Sequence, residues 1–189
     1  MPVFAGGTAA VVNNTVKLNG IKHDQDASFA LSGNTGVAIN LYWGGISLVN
    51  AGSAARNFTV GVPVNVCGEQ TWFADKNKTL VFDSSVSDDA IGGYPVVKAG
   101  EGTLVLNSEN TFTGDLILSN GLVKVAAQGS AGSPGNGAIR VCVVADRIKP
   151  ILNLEPGAKL ERPVVVTRAE NSAGAWNHYP FGPSTGSGT

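Results

Sequence analysis

Charge is what this sequence has least of. Asp, Glu, Lys and Arg make up 14% of the 189 residues, against roughly 25% in an ordinary soluble domain. With 13 basic and 14 acidic side chains the formal charge is −1, and no segment gathers Lys or Arg thickly enough to track a phosphate backbone, which excludes a nucleic-acid binder. Histidine is scarcer still. The two histidines are His23 and His178, and nothing between them offers a third, so neither a catalytic triad nor a His-based zinc site has a nearby pair to start from. Cys67 and Cys142 fit neither a CxxC redox or metal pair nor a dense disulfide framework, and read as two buried small hydrophobes. No run approaches the roughly 20 apolar residues of a spanning helix, and the opening MPVFAGGTAAVVNN lacks a charged segment followed by an apolar one. The chain as given is expected neither to span a membrane nor to carry its own export signal, so it is either cytosolic or a mature piece of a larger exported protein. Helix-forming stretches are missing too, because Gly or a cluster of Asn, Ser and Thr interrupts nearly every window of ten residues.

What remains is apolar and rich in turns. Hydrophobic residues reach 43% with a mean hydropathy of +0.11, and 25 Gly, 23 Val and 16 Asn favour short strands joined by tight corners. The fold class is therefore all-β. Segments such as VVNNTVKL, VAINLYW, FTVGVPVNV, GTLVLN, GLVKVA and IRVCVV alternate apolar with small polar residues, which sends one set of side chains inward and the other to water. Their spacing is the sharper signal. GTLVLN begins at Gly102 and GLVKVA at Gly121, nineteen residues on; TLVF begins at Thr79 and TLVL at Thr103, twenty-four on. Periods near twenty mark a stacked repeat, and this one suits a coil of a right-handed parallel β-helix with three short strands. About nine coils over residues 1–167 are expected, forming a rod on the order of 40 Å long that is a fragment of a longer one. A β-sandwich is the competing architecture. Residues 168–189 lose strand character and form an irregular tail rich in aromatics, Pro and Gly.

Within this pattern, AGEGTLVLNSENTFTGDLILSNGLVKV, from Ala99 to Val125, resembles the autotransporter-associated β-strand repeat. The matching positions are Lys98, Gly100, Gly102, Leu104, Leu106, Asn110, Phe112, Gly114, Gly121, Leu122 and Val125, with Asp115 where a small residue is usual. The clear match covers 98–125, and a looser one extends from about 55 to 165. The resemblance implies a structural, non-enzymatic passenger segment at the cell surface or outside the cell, exported through an outer-membrane β-barrel translocator in the full-length protein. Read physically, Leu104, Leu106, Leu116, Leu118, Leu122, Val123 and Val125 can supply interior ladders, the four glycines permit corners, and Asn110 can bond turn backbone or a neighbouring coil.

The search for chemistry is mostly negative. There is no Gly-Lys-Ser/Thr, no calcium-hand loop and no calcium-roll nonapeptide, and the Asp residues read as solvated turn carboxylates. Asp88-Asp89 and the later Arg147-Ile148-Lys149 are similar to two words of polygalacturonase-like glycanases, but the Asn-Thr-Asp and Gly-His-Gly that accompany them there are absent. The chain is expected not to be an enzyme and to need no cofactor and no metal. Trp176, His178 and Tyr179, in the tail, are the candidate ligand residues, able to stack on a sugar. Tyr42, Trp43 and Trp72 read as packing residues. The alternative function is an adhesin or carbohydrate-binding module on the same scaffold, meeting host or matrix glycans, with a polysaccharide-degrading enzyme behind it. A monomer is expected.

Overall fold

The computed structural model describes residues 9–49, 52–127, 129–133, 135, 137–144 and 150–169. The candidate ligand residues Trp176, His178 and Tyr179, and with them Arg147 and Lys149, lie outside the described residues. Sixteen strands, numbered in chain order, are found among the described residues, and no helix. One sheet runs β1 (Ala9–Val12), β3 (Phe29–Gly33), β5 (Arg56–Gly61), β8 (Lys78–Phe82), β11 (Thr103–Leu106), β13 (Leu122–Val125), β15 (Ile151–Leu154). The second holds β2 (Val16–His23), β4 (Ile39–Leu48), β6 (Val64–Val66), β7 (Gln70–Ala74), β9 (Val86–Asp88), β10 (Val96–Ala99), β12 (Leu116–Leu118), β14 (Ile139–Val144) and β16 (Val164–Ala169). Every named pairing is parallel, so each strand lies against its counterpart one turn away and the chain winds as a parallel β-helix.

Strand β4 shows how the second sheet splits into two faces. Its first half pairs with β6 through Ile39↔Val64, and its second half pairs with β7 through Ile46↔Trp72. Between the halves the chain turns a corner at Tyr42, Trp43, Gly44 and Gly45, and a register shift in β2 between Leu18 and Gly20 follows the same bend. The cross-section is therefore three-sided.

Register follows the sequence spacing where the turns are short. Thr79 pairs with Thr103, and Thr103 with Leu122. The period is not uniform, however, since Ala30 pairs with Thr59 and Lys124 with Asn153, each twenty-nine residues on. The expected nine coils are thus corrected to about six turns, seven strands deep in the first sheet, or roughly 29 Å of rod at ~4.8 Å per turn. Corners of variable length consume the difference.

The interior is built from side-chain ladders that run along the rod. Phe29, Phe58, Leu80, Leu104 and Val123 are successive partners, as are Leu31, Val60, Phe82, Leu106 and Val125, and all ten are buried. On another face Ile46, Trp72, Lys98 and Leu118 succeed one another, each fully buried. Burying one such apolar side chain contributes roughly 1.5–3 kcal/mol, and because each coil contacts only its neighbours, stability accrues along the stack. Both cysteines are buried thiols.

His23 packs beside the first two rungs of the first ladder, its ring 5.6 Å from that of Phe29 and 5.5 Å from that of Phe58. Nε2 is buried without a hydrogen-bond partner. Burial lowers its pKa, with Asp24 pulling the other way; Arg56 and Lys78, which line the same small cavity, add no negative charge to hold a proton. The folded chain therefore binds fewer protons than the unfolded chain below the ordinary histidine pKa of about 6.5. Stability from this site is complete above that value and is lost as the pH falls. The melting temperature should drop between about pH 7.5 and pH 5 in the native chain, and the drop should shrink in His23→Phe, which removes this imidazole. Identical profiles for the two proteins would refute it.

Candidate functional site

The segment 98–125 runs through one full coil and into the next, since Lys98 and its partner Leu118, and Thr103 and its partner Leu122, all lie within it; its side chains divide into corner fasteners and interior ladder. Lys98 is wholly buried, and its Nζ donates to the carbonyls of Ala99 (2.9 Å), Gly100 (2.8 Å) and Asn120 (3.1 Å). A lysine is tolerated there because β10 turns sharply at Gly100 and aims carbonyls back at the ammonium. Burial brings its pKa down to about 8. Gly121 takes φ +76°, and a Cβ there would stand 2.3 Å from the Gly102 carbonyl oxygen and 2.9 Å from Lys98 Nζ, so only glycine fits the corner below the lysine.

Asn110 ties three coils. Its Oδ1 accepts from Val86 N–H (2.8 Å), its Nδ2 donates to the carbonyls of Ser108 (2.8 Å) and Ser130 (2.7 Å), and its backbone N–H meets Ser130 Oγ (2.7 Å). Phe112 is buried against Trp72 at 6.5 Å, edge to face, and beneath the guanidinium of Arg162 at 5.3 Å. Gly102 and Gly114 press against carbonyls of the preceding coil; a Cβ on Gly114 would stand 1.9 Å from Tyr94 O. Leu104, Leu106 and Val125 face inward and are fully buried. Leu122 is the exception among the expected ladder residues: the alternation of β13 turns Val123 and Val125 inward and leaves Leu122 half-buried on the outer side.

Other side chains escaped the sequence reading. Arg162 is 5% exposed and donates to the carbonyls of Ala131 (3.0 Å) and Gly114; burial lowers its pKa, opposed by Asp115 and Asp88. Nothing local in ERPVVV marks that arginine as interior, because its acceptors lie one and two coils back. The Asp residues are more engaged than solvated turn carboxylates. Asp88 Oδ2 accepts from Thr113 N–H (2.7 Å) and Oγ1 (2.6 Å), and Asp89 Oδ1 accepts from the N–H groups of Ile91 (2.9 Å) and Gly92 (3.1 Å). The adjacent pair thus braces a loop. Asp115 accepts from Ala138 N–H (2.6 Å) and from Arg140 Nε. Trp72 is buried as expected of a packing residue, whereas Trp43 is corrected: it is 66% exposed, because the corner within β4 turns it outward. A Cβ on Gly68 would stand 3.1 Å from Trp43 Nε1, so the indole lies close against that glycine in the next coil.

A cavity of about 610 Å³ opens on this same corner of the rod. Its floor is Thr113, Gly114 and Asp115, the short link between Phe112 and β12. Longer connections on either side, Asp89 to Pro95 before it and a glycine-rich one holding Gly135 and Gly137 after it, stand up as walls. Among the described residues no three His, Cys, Asp or Glu side chains gather as metal ligands would. No family model, curated protein or solved structure matches the chain.

Proposed function

We propose that this chain is a structural, non-enzymatic passenger segment of an exported bacterial surface protein of the autotransporter type, carried to the outside by a β-barrel translocator elsewhere in the full-length protein. The observation that carries the reading is the coil at 98–125. Its repeat-like residues have mutually dependent places: Lys98 holds the corner carbonyls, Gly121 leaves room for it, and Asn110 fastens the next coil to the last. The physics of the stack also suits export as an extended chain. Each coil offers the next a paired edge and an apolar floor, so folding can proceed from whichever end emerges first, and with both cysteines buried as thiols no bridge has to form on the way.

Intact cells of the source organism, probed with antibody against this chain before and after external protease, supply the test. Surface labelling that protease removes, on a polypeptide that fractionates with the outer membrane, is the expected result. Recovery from the cytosol with full protection in intact cells would overturn it.

A further inference from the structure

Trp43 and Ile91 are two of the most exposed large apolar side chains among the described residues, at 66% and 79%, and both stand on the corner that holds the cavity. Tyr42, Cys67 and Asp89 occupy successive coils of this corner, since Cys67 N–H donates to Leu41 O and Asp89 N–H to Val66 O. Trp43 and Ile91 are therefore two coils apart, roughly 10 Å along the rod. One coil beyond Ile91 lies the floor at Thr113, and beyond that Arg140, its side chain 43% exposed and paired with Asp115. Aromatic ledge, aliphatic rim and polar trough follow one another in a line parallel to the rod axis.

The floor of the trough and its first wall are fastened to each other. Gly93 N–H donates to Thr113 Oγ1 (3.2 Å) and Asp88 grips Thr113 twice, which pins the first wall to the floor. A Cβ on Gly137 would stand 2.4 Å from Thr113 O, so the second wall reaches the floor only as glycine. A preformed trough with few, fixed polar groups is the kind of surface that selects a ligand.

Its chemistry narrows the class. Arg140 is matched by Asp115, and Asp88 and Asp89 stand nearby, so a polyanion finds no net positive field. The lining is corner backbone together with Arg140 of β14, a strand already paired on both sides by β12 and β16, so it offers a peptide no free edge. An exposed indole beside an aliphatic rim suits the C–H face of a sugar ring, and the Arg140–Asp115 pair presents donor and acceptor side by side, as adjacent hydroxyls require. The geometry points to a binding track for a neutral polysaccharide, lying along the rod with one ring on Trp43, the chain crossing Ile91, and hydroxyls reaching Arg140 and Asp115. This does not rest on surface display, and either conclusion can fail without the other.

The full chain, labelled with ¹⁵N, is titrated with cellohexaose, maltohexaose, chitohexaose and, as the charged comparison, a hexamer of galacturonic acid. The Trp43 indole signal is assigned by its loss in Trp43→Phe. At least one neutral hexamer should shift that signal together with the backbone amides of Gly92, Gly93 and Gly114. Trp43→Ala and Arg140→Met should each weaken binding roughly tenfold or more, the change expected on losing an anchoring contact, while circular dichroism and melting temperature of Trp43→Ala stay at native values. Glu109→Gln, at a residue that pairs with Lys159 and does not line the trough, should bind as the native chain does. Three results would each overturn the proposal: no neutral hexamer shifting these signals, the galacturonic hexamer binding in preference, or unchanged affinity in both Trp43→Ala and Arg140→Met.

Discussion

Leu104→Asp is expected to leave the chain without a cooperative folded state. Leu104 is fully buried, with Leu80 one coil before it and Val123 one coil after. A carboxylate at that rung has ladder neighbours that are all apolar, and an isolated charge in such a stack costs several kcal/mol even after it protonates. That loss is comparable to the whole stability of a domain, roughly 5–15 kcal/mol, and it falls in the middle of the rod, where it separates the coils on either side. Val105→Asp is the companion variant. Val105 points outward on the same strand and is paired with Lys124, so a carboxylate there meets water and a cation and should change stability by about 1 kcal/mol or less. Circular dichroism with urea titration separates the two, and a Leu104→Asp chain that stays soluble with native melting would refute the assignment of the inner face.

That contrast also shows how the sequence encodes this fold. In TLVL and LVKV the period of two decides which side chain goes in, and the match between Thr79, Thr103 and Leu122 fixes neighbouring coils from spacing alone. Two kinds of information are not local. The first is the number of coils, because corners range from the three residues between Phe112 and Leu116 to the seven between Asp88 and Val96, and a single period fitted to the short ones overcounts. The second is the fate of charged and aromatic residues at corners. Hydropathy places Lys98 and Arg162 outside and Trp43 inside, yet the carbonyls that turn inward at corners make an apolar-lined site for a cation, and the bend in β4 puts an indole in water. The trough is illegible for the same reason: its walls are loops from different coils, brought together only by the stacking.

Lys98 gives the clearest measurable consequence of a cation inside the rod. Its neighbours along the ladder are Trp72 and Leu118, and burial is the cause that brings its pKa from the ordinary value of about 10.5 to about 8. Between those two values the unfolded chain still carries a proton that the folded chain has released. Stability from this residue therefore rises with pH across that window and is flat below it, by about 3 kcal/mol in total if the whole shift is expressed. The thiol of Cys67 and the phenol of Tyr94 act in the opposite sense, since burial raises both and the folded chain keeps their protons longer. A bare profile of the native chain would mix the two trends. Lys98→Met removes the ammonium at similar length and leaves Cys67 and Tyr94 in place, so the difference in unfolding free energy between native and variant, followed by urea titration from about pH 7 to 10, isolates the lysine. At neutral pH the variant lacks the donor to the carbonyls of Ala99, Gly100 and Asn120, and it should lose secondary structure first at the corner joining β10 to β11. The native chain should then gain on it steadily above about pH 8. A difference that stays level through that range would show that the three carbonyls hold the proton against burial, and that the corner is fastened by a permanent charge.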